Sequence, residues 1–160
     1  MDTVMVDERE GSKLKWLWLA VLVIAVDLGT KYLATALLTY GNPVPVMPSF
    51  NLTLLHNTGA AFSFLADVAG WQRWFFVALA LVVSVVLTGW LKKLKANETW
   101  IAIAIVLILG GAIGNVYDRV VHGYVVDFLH VYWQDWHFPA FNLADTAITI
   151  GAAMMVIDAF

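Results

Sequence analysis

Residues 139–160 read PAFNLADTAITIGAAMMVIDAF, a nearly continuous apolar run interrupted close to its start by Asn142 and Asp145. A run of about 20 apolar residues is long enough to cross a hydrocarbon layer roughly 30 Å thick. An aspartate at the centre of such a helix costs about 2.5–3.5 kcal/mol on insertion. A span that keeps one needs a reason, and polar residues at membrane depth are functional candidates by default.

Composition supports the membrane reading. Of the 160 residues, 61% are hydrophobic and 13% charged, with a mean hydropathy of +0.78. A soluble domain is about 45–50% apolar and roughly 25% charged, so this chain carries more apolar surface than one small core can bury. Four segments qualify as spans: 16–38, 71–91, 99–116 and 140–160. Trp and Tyr, eight and five in number, gather towards the ends of these runs, as they do in interfacial belts. The short connection after the second span holds Lys92, Lys93 and Lys95, and the tail before the first holds Arg9, Lys13 and Lys15. Basic loops stay in the cytoplasm, so both termini are expected there. The ATA at 34–36 resembles a signal-peptide cleavage site, but the apolar run before it is long and is broken by Asp27 and Lys31. The first span is therefore retained, and the chain reads as one membrane domain over 1–160.

Two regions are then left outside. In 39–70, Phe50 to Leu54 alternate apolar and polar as a strand does, and Asn57-Thr58-Gly59 reads as a turn. In about 120–139, strand-like runs flank His122-Gly123. The expected fold class is an all-α membrane protein with four transmembrane helices and a small extracytoplasmic β element.

The polar residues inside or beside the spans form a pattern. Asp27 and Lys31 stand four apart, the spacing and order that favour an ion pair on one helix face, and read first as a structural pair. Gly110 and Gly114 admit close approach of another helix. Asn115, Asp118 and Arg119 follow on one face, which suits either a functional cluster or a helix end whose arginine snorkels to head groups. Asp127 lies in YVVDFLHV, among bulky apolar neighbours whose desolvation should raise its pKa. Asp145, with Asn142 on the same helical face, lies about 7 Å from the outer end of its span at 1.5 Å per residue. Two carboxylates sharing a site divide one proton between them, so one can act as general base on water while the other polarises a carbonyl. In the rival reading, Asp127 caps a turn and Asp145 pairs with Arg119.

Other chemistries fare worse. The chain has no cysteine, which excludes disulfides, thiol nucleophiles and zinc–thiolate sites. His56, His122, His130 and His137 lack metal-ligand spacing, and Ser49, Ser63 and Ser84 lack a nucleophile elbow. The basic residues are too sparse for nucleic acid. A transporter would distribute its acids across the membrane, whereas here only Asp27 is deep. A scaffold would tolerate Asn at 127 and 145.

Five short motifs in order complete the reading: DLGTK (27–31), NTGAAFS (57–63), GGAIGNVYDR (110–119), VVDF (125–128) and FNLAD (141–145). Together they resemble the bacterial lipoprotein signal peptidase (signal peptidase II) family over nearly the whole chain, with Leu28 where that family usually has glutamine. The resemblance implies an intramembrane aspartic endopeptidase of the bacterial inner membrane, its site at the periplasmic face. Such an enzyme would cut diacylglyceryl-modified prolipoproteins just before the lipidated cysteine. It also implies Asp127 and Asp145 as the catalytic dyad and Asn57, Gly59, Asn115, Arg119 and Asn142 as substrate-binding or supporting residues. Asp27, Lys31 and Asp118 are left as structural polar positions. The expected partners are the prolipoproteins and membrane lipids, with no cofactor, no metal and no nucleic acid, and the expected state is a monomer.

Overall fold

The computed structural model describes residues 12–59 and 70–160; Arg9, Ser63 and the 60–63 part of the NTGAAFS motif lie outside the described residues. A 3-10 turn, Lys13–Trp16, runs into helix α1, Leu17–Leu37. Strands β1 (Val44–Met47) and β2 (Phe50–Asn57) follow, then helices α2 (Trp71–Leu91) and α3 (Thr99–Val121). Strands β3 (Val125–Trp133) and β4 (Trp136–His137) precede the last helix, α4 (Leu143–Asp158).

Among the described residues, three helical stretches, Lys13–Leu37, Trp71–Leu91 and Thr99–Val121, are long and apolar enough to cross a membrane. Helix α4 has 16 residues. It begins later than the apolar run does because Asn142 is its N-cap, the side chain accepting from Asp145 N, and because Phe141 is drawn into a bridge with Leu129 of β3. Helix α3 instead runs past 116 to Val121. Asn115, Asp118 and Arg119 therefore lie on a continuous helix, where they find partners that let it carry on.

Helix α3 is the centre of the bundle: 61% of its apolar window is buried, against 22% for α1 and for α2. Its glycines set how close the neighbours come. Gly110 and Gly114 both face α1, where an added Cβ would meet Val23 and the Ala20 carbonyl at one level and Asp27 Oδ2 at the next. Gly111 faces α4, with the Ala144 carbonyl in the place of its missing side chain, and Gly151 of α4 returns the contact against Ala104. At the other end Leu87, Leu91, Ile101, Ile105 and Val106 join α2 to α3 in an apolar core. Outward residues of α1 and α2 such as Leu22, Leu33, Leu79, Val82 and Val86 are large, apolar and exposed, the surface expected of helices solvated by lipid. Lys13 Nζ bonds the Ala96 carbonyl at 2.6 Å and Thr99 Oγ1 at 2.7 Å, which brings the start of α1 and the α2–α3 connection to one end of the bundle.

Among the described residues, the strands of the two outer regions combine into a four-stranded antiparallel sheet in the order β1-β2-β3-β4. In its centre Phe50 pairs with Val131 and Asn57 with Val125, with a register shift between Leu52 and Leu55. Ala34, Leu54, Val126 and Phe128 fasten the sheet to α1. Backbone bonds of Phe128 N and Leu129 N to the Phe141 carbonyl, returned by Phe141 N to the Leu129 carbonyl, tie β3 to the segment that opens α4.

Candidate active site

Asp127 lies in β3, opposite Leu55, and is only 2% exposed because Val125, Val126 and Phe128 around it are buried as well. It is part of a strand, not a turn cap. Burial first, and the charge of Asp145 second, push its carboxyl up to about 7, against the opposing pull of hydrogen bonds from Asn57 and Asn142 and of the Lys31 charge. A carboxylic acid of this kind holds a proton near neutral pH.

Asp145 stands in the first turn of α4, where the helix dipole favours a negative charge. Its Oδ1 accepts from Asn115 Nδ2 at 2.8 Å. Between the two acids lies Asn142, fully buried. Its Nδ2 donates to Asp127 Oδ1 at 2.8 Å and lies 3.3 Å from both Asn115 Oδ1 and the Val126 carbonyl, while its Oδ1 accepts Asp145 N at 2.8 Å. One amide side chain thus ties the strand carboxylate of Asp127 to the backbone N–H of Asp145.

A second layer holds this arrangement in place. Lys31 Nζ reaches Asp27 Oδ2 at 2.7 Å, Asp118 Oδ2 at 3.0 Å and Asn115 Oδ1 at 3.0 Å. The Asp27–Lys31 pair is therefore one arm of a buried triad with Asp118. Each acid of the triad also holds backbone: Asp27 Oδ1 accepts Ala144 N at 2.9 Å, at the start of α4, and Asp118 Oδ2 accepts Val126 N at 3.0 Å, beside Asp127. The three structural polar positions so connect the two elements that carry Asp127 and Asp145. Gly110, Gly114 and Asp118 advance by four along α3, matching Val23, Asp27 and Lys31 along α1.

Asn57 bonds Asp127 from the end of β2, and its Oδ1 accepts Gly59 N at 2.8 Å, an Asx turn. Gly59 has φ +94°, and a Cβ there would lie 2.8 Å from the Phe76 ring, so both backbone and space demand glycine. Arg119 is half-buried, with its guanidinium 3.4 Å from the Asn115 carbonyl and 5.1 Å over the Phe76 ring. Its charge is felt at Asp145, Asp127 and Asp118, yet the oxygen of Asp145 bonds Asn115. Beside Asp145 a cavity of about 470 Å³ opens, walled by Phe138, Phe141, Thr149 and Ile150. Among the described residues no cluster of three or more His, Cys, Asp or Glu is placed to hold a metal ion.

Fold and site together define a helical membrane protein built around a pair of adjacent carboxylates. Comparison with known proteins carries this further. The family model described as signal peptidase (SPase) II matches residues 19–160. The chain is 59% identical over 150 residues to the lipoprotein signal peptidase of Pseudomonas putida, covering 92% of this chain and 88% of that protein. It is 54% identical over 151 residues to the one of Vibrio parahaemolyticus, covering 93% and 89%. Among solved structures it resembles a bacterial membrane enzyme determined by the in meso method, with a TM-score of 0.82, 32% identity, and coverage of 91% of this chain and 92% of that one. The chain belongs to the signal peptidase II family, a family of aspartic peptidases.

Proposed function

We propose that the chain removes the signal peptide from diacylglyceryl-modified prolipoproteins, cutting just before the lipidated cysteine, with Asp127 and Asp145 as the catalytic pair. The observation that carries the residue assignment is the Asn142 bridge: it bonds one carboxylate and the backbone of the other, while burial and the neighbouring charge keep Asp127 protonated up to about pH 7. Asp127 then enters the reaction as the acid and Asp145 as the base. Asp145 takes a proton from water, whose oxygen attacks the scissile carbonyl, and Asp127 gives its proton to the carbonyl oxygen. When the gem-diol intermediate collapses, the C–N bond breaks, the leaving amine takes the proton held by Asp145, and Asp127 takes back a proton from one hydroxyl as the carbonyl re-forms. Asn57, Gly59, Asn115, Arg119 and Asn142 line or support the substrate site.

This reading places α4 as a fourth span, both termini in the cytoplasm and the carboxylates at the periplasmic face of the inner membrane. Lys13, Lys15, Lys92, Lys93 and Lys95 all belong to the end of the bundle opposite the sheet, which is the cytoplasmic end by the positive-inside rule. A substrate carrying acyl chains in the bilayer presents its scissile bond near the membrane surface, the depth at which the first turn of α4 meets β3. The sheet then rests against the head groups.

The test is processing of a diacylglyceryl-modified prolipoprotein by the purified chain, beside folded Asp127→Asn and Asp145→Asn variants. Cleavage by the wild type and loss in both variants is the expected result. Cleavage that persists in either variant removes that aspartate from the chemistry.

A further inference from the structure

The β3–β4 hairpin carries an arrangement that peptide cleavage does not use. His130 Nε2 and His137 Nδ1 face each other across 3.1 Å. The two residues are seven apart in sequence, and the hairpin turn, in which Trp133 pairs with Trp136 and Tyr132 with His137, brings them together. His137 is exposed, so the pair is open to solvent. The other ring nitrogen of His130, Nδ1, lies 3.3 Å from Thr53 Oγ1 on the neighbouring strand. With the Thr53 oxygen accepting from Nδ1, the lone pair of His130 is on Nε2, directed at His137. Metal-binding histidines are oriented in this way by a second bond at the far nitrogen. Tyr132 stacks on His137 with ring centroids 5.6 Å apart and lies 6.0 Å from His130, which limits how either imidazole can turn.

An independent observation falls on the same face. Asn51 pairs directly with His130 across β2 and β3, and directly opposed residues share a sheet face. Asn51 is 9% exposed, and its side-chain oxygen is buried without a hydrogen-bond partner. Such an orphaned acceptor calls for an explanation.

We propose that His130 and His137 form a two-histidine site for a borderline transition-metal dication, Zn²⁺ or Cu²⁺, on the outer sheet. Imidazole nitrogens suit these ions. With metal–nitrogen bonds of about 2.0–2.1 Å, two nitrogens at the observed separation subtend about 100° at the metal, between square-planar and tetrahedral angles. On binding, the ion takes the place of the hydrogen between the rings: the single N–H of His137 moves from Nδ1 to Nε2 through solvent, leaving the Nδ1 lone pair for the metal, and His130 Nε2 already has its lone pair free. Solvent fills the remaining positions, and Asn51 Oδ1 accepts from a metal-bound water. The ion fastens β4 to β3, and with it the exposed Trp133 and Trp136 at the end of the hairpin.

The experiment uses the full chain without a histidine tag, in detergent, titrated with ZnCl₂ or CuCl₂ by calorimetry and followed by thermal unfolding, with MgCl₂ as control. The expected result is saturable binding of one ion with a rise in Tm, none with Mg²⁺, and loss of both effects in His137→Gln, whose exposed side chain can change without disturbing the fold. Thr53→Val removes no ligand and should weaken binding by roughly tenfold or more, as outer-shell changes do. Absence of saturable binding by the wild type, or binding that His137→Gln leaves intact, overturns the proposal.

Discussion

Asn142 Nδ2 donates to Asp127 Oδ1 over 2.8 Å. The same side chain caps α4 through its bond from Asp145 N, so a capping residue and the spacer between two acids are one group. Asn142→Ala should therefore do two things. Loss of the cap costs about 0.5–2 kcal/mol of stability. Loss of the bridge lets the carboxylates shift, and a displacement of about 1 Å at a catalytic group lowers rate on the order of 100-fold. Parallel measurement of Tm and kcat separates the two: a fall in Tm with kcat intact would reduce Asn142 to a cap alone.

The protonation of Asp127 predicts two pH effects. The native carboxyl titrates at about 7, up from an ordinary 3.8. Between those values the native chain holds a proton that the unfolded chain has released, so stability falls as pH rises through the window and levels off above it. Tm should be lower at about pH 8 than at about pH 5, and Asp127→Asn should remove that part of the slope. In the wild type, the rate should fall about tenfold per pH unit above about 7 as the acid form of Asp127 is lost. A rate that keeps rising through that range contradicts the acid role of Asp127.

The lengths of apolar runs made the long helices legible, and alternation marked the strand that begins at Phe50. The polar interruptions pointed to Asp127, Asn142 and Asp145, and the structure brings these together. Long-range pairing was not legible. The β2–β3 ladder joins Asn57 to Val125 across α2 and α3, and no local propensity encodes that register. The start of α4 was obscured because Pro139 to Phe141 is as apolar as the helix, while the bridge between Phe141 and Leu129 is a tertiary fact. For Lys31 the nearest acid in sequence, Asp27, was evident. Its second acid, Asp118, depends on how α1 lies along α3.

Lys31 is the one cation of the triad with Asp27 and Asp118, and all three are almost wholly buried. Lys31→Met leaves two acids without their counter-ion, a change that costs about 3–5 kcal/mol when a buried pair is broken from one side. Adding Asp118→Asn to Lys31→Met removes one uncompensated charge and should restore part of the loss. Unfolding of the single and double variants in the same detergent checks this. Equal Tm values for wild type and Lys31→Met would mean that the triad contributes nothing to folding.

Gly111 offers the sharpest test of how helix packing sets the site. A methyl group there would run into the Ala144 carbonyl and come 2.8 Å from Ile148 Cγ1. Ala144 is the residue before Asp145, and its N–H is held by Asp27. Gly111→Ala must therefore push the first turn of α4 away from α3, stretching the Asn115–Asp145 bond one turn further along. Overpacking of this kind costs about 1–3 kcal/mol, and the displaced carboxylate should lower kcat more than it raises KM. Gly89 is the matched control, since nothing lies within 4 Å of a Cβ at that position of α2. Gly89→Ala should be neutral or stabilising by up to about 1 kcal/mol, the helix propensity difference, with turnover unchanged. If both substitutions behave alike, the close contact of α3 and α4 is not what positions Asp145.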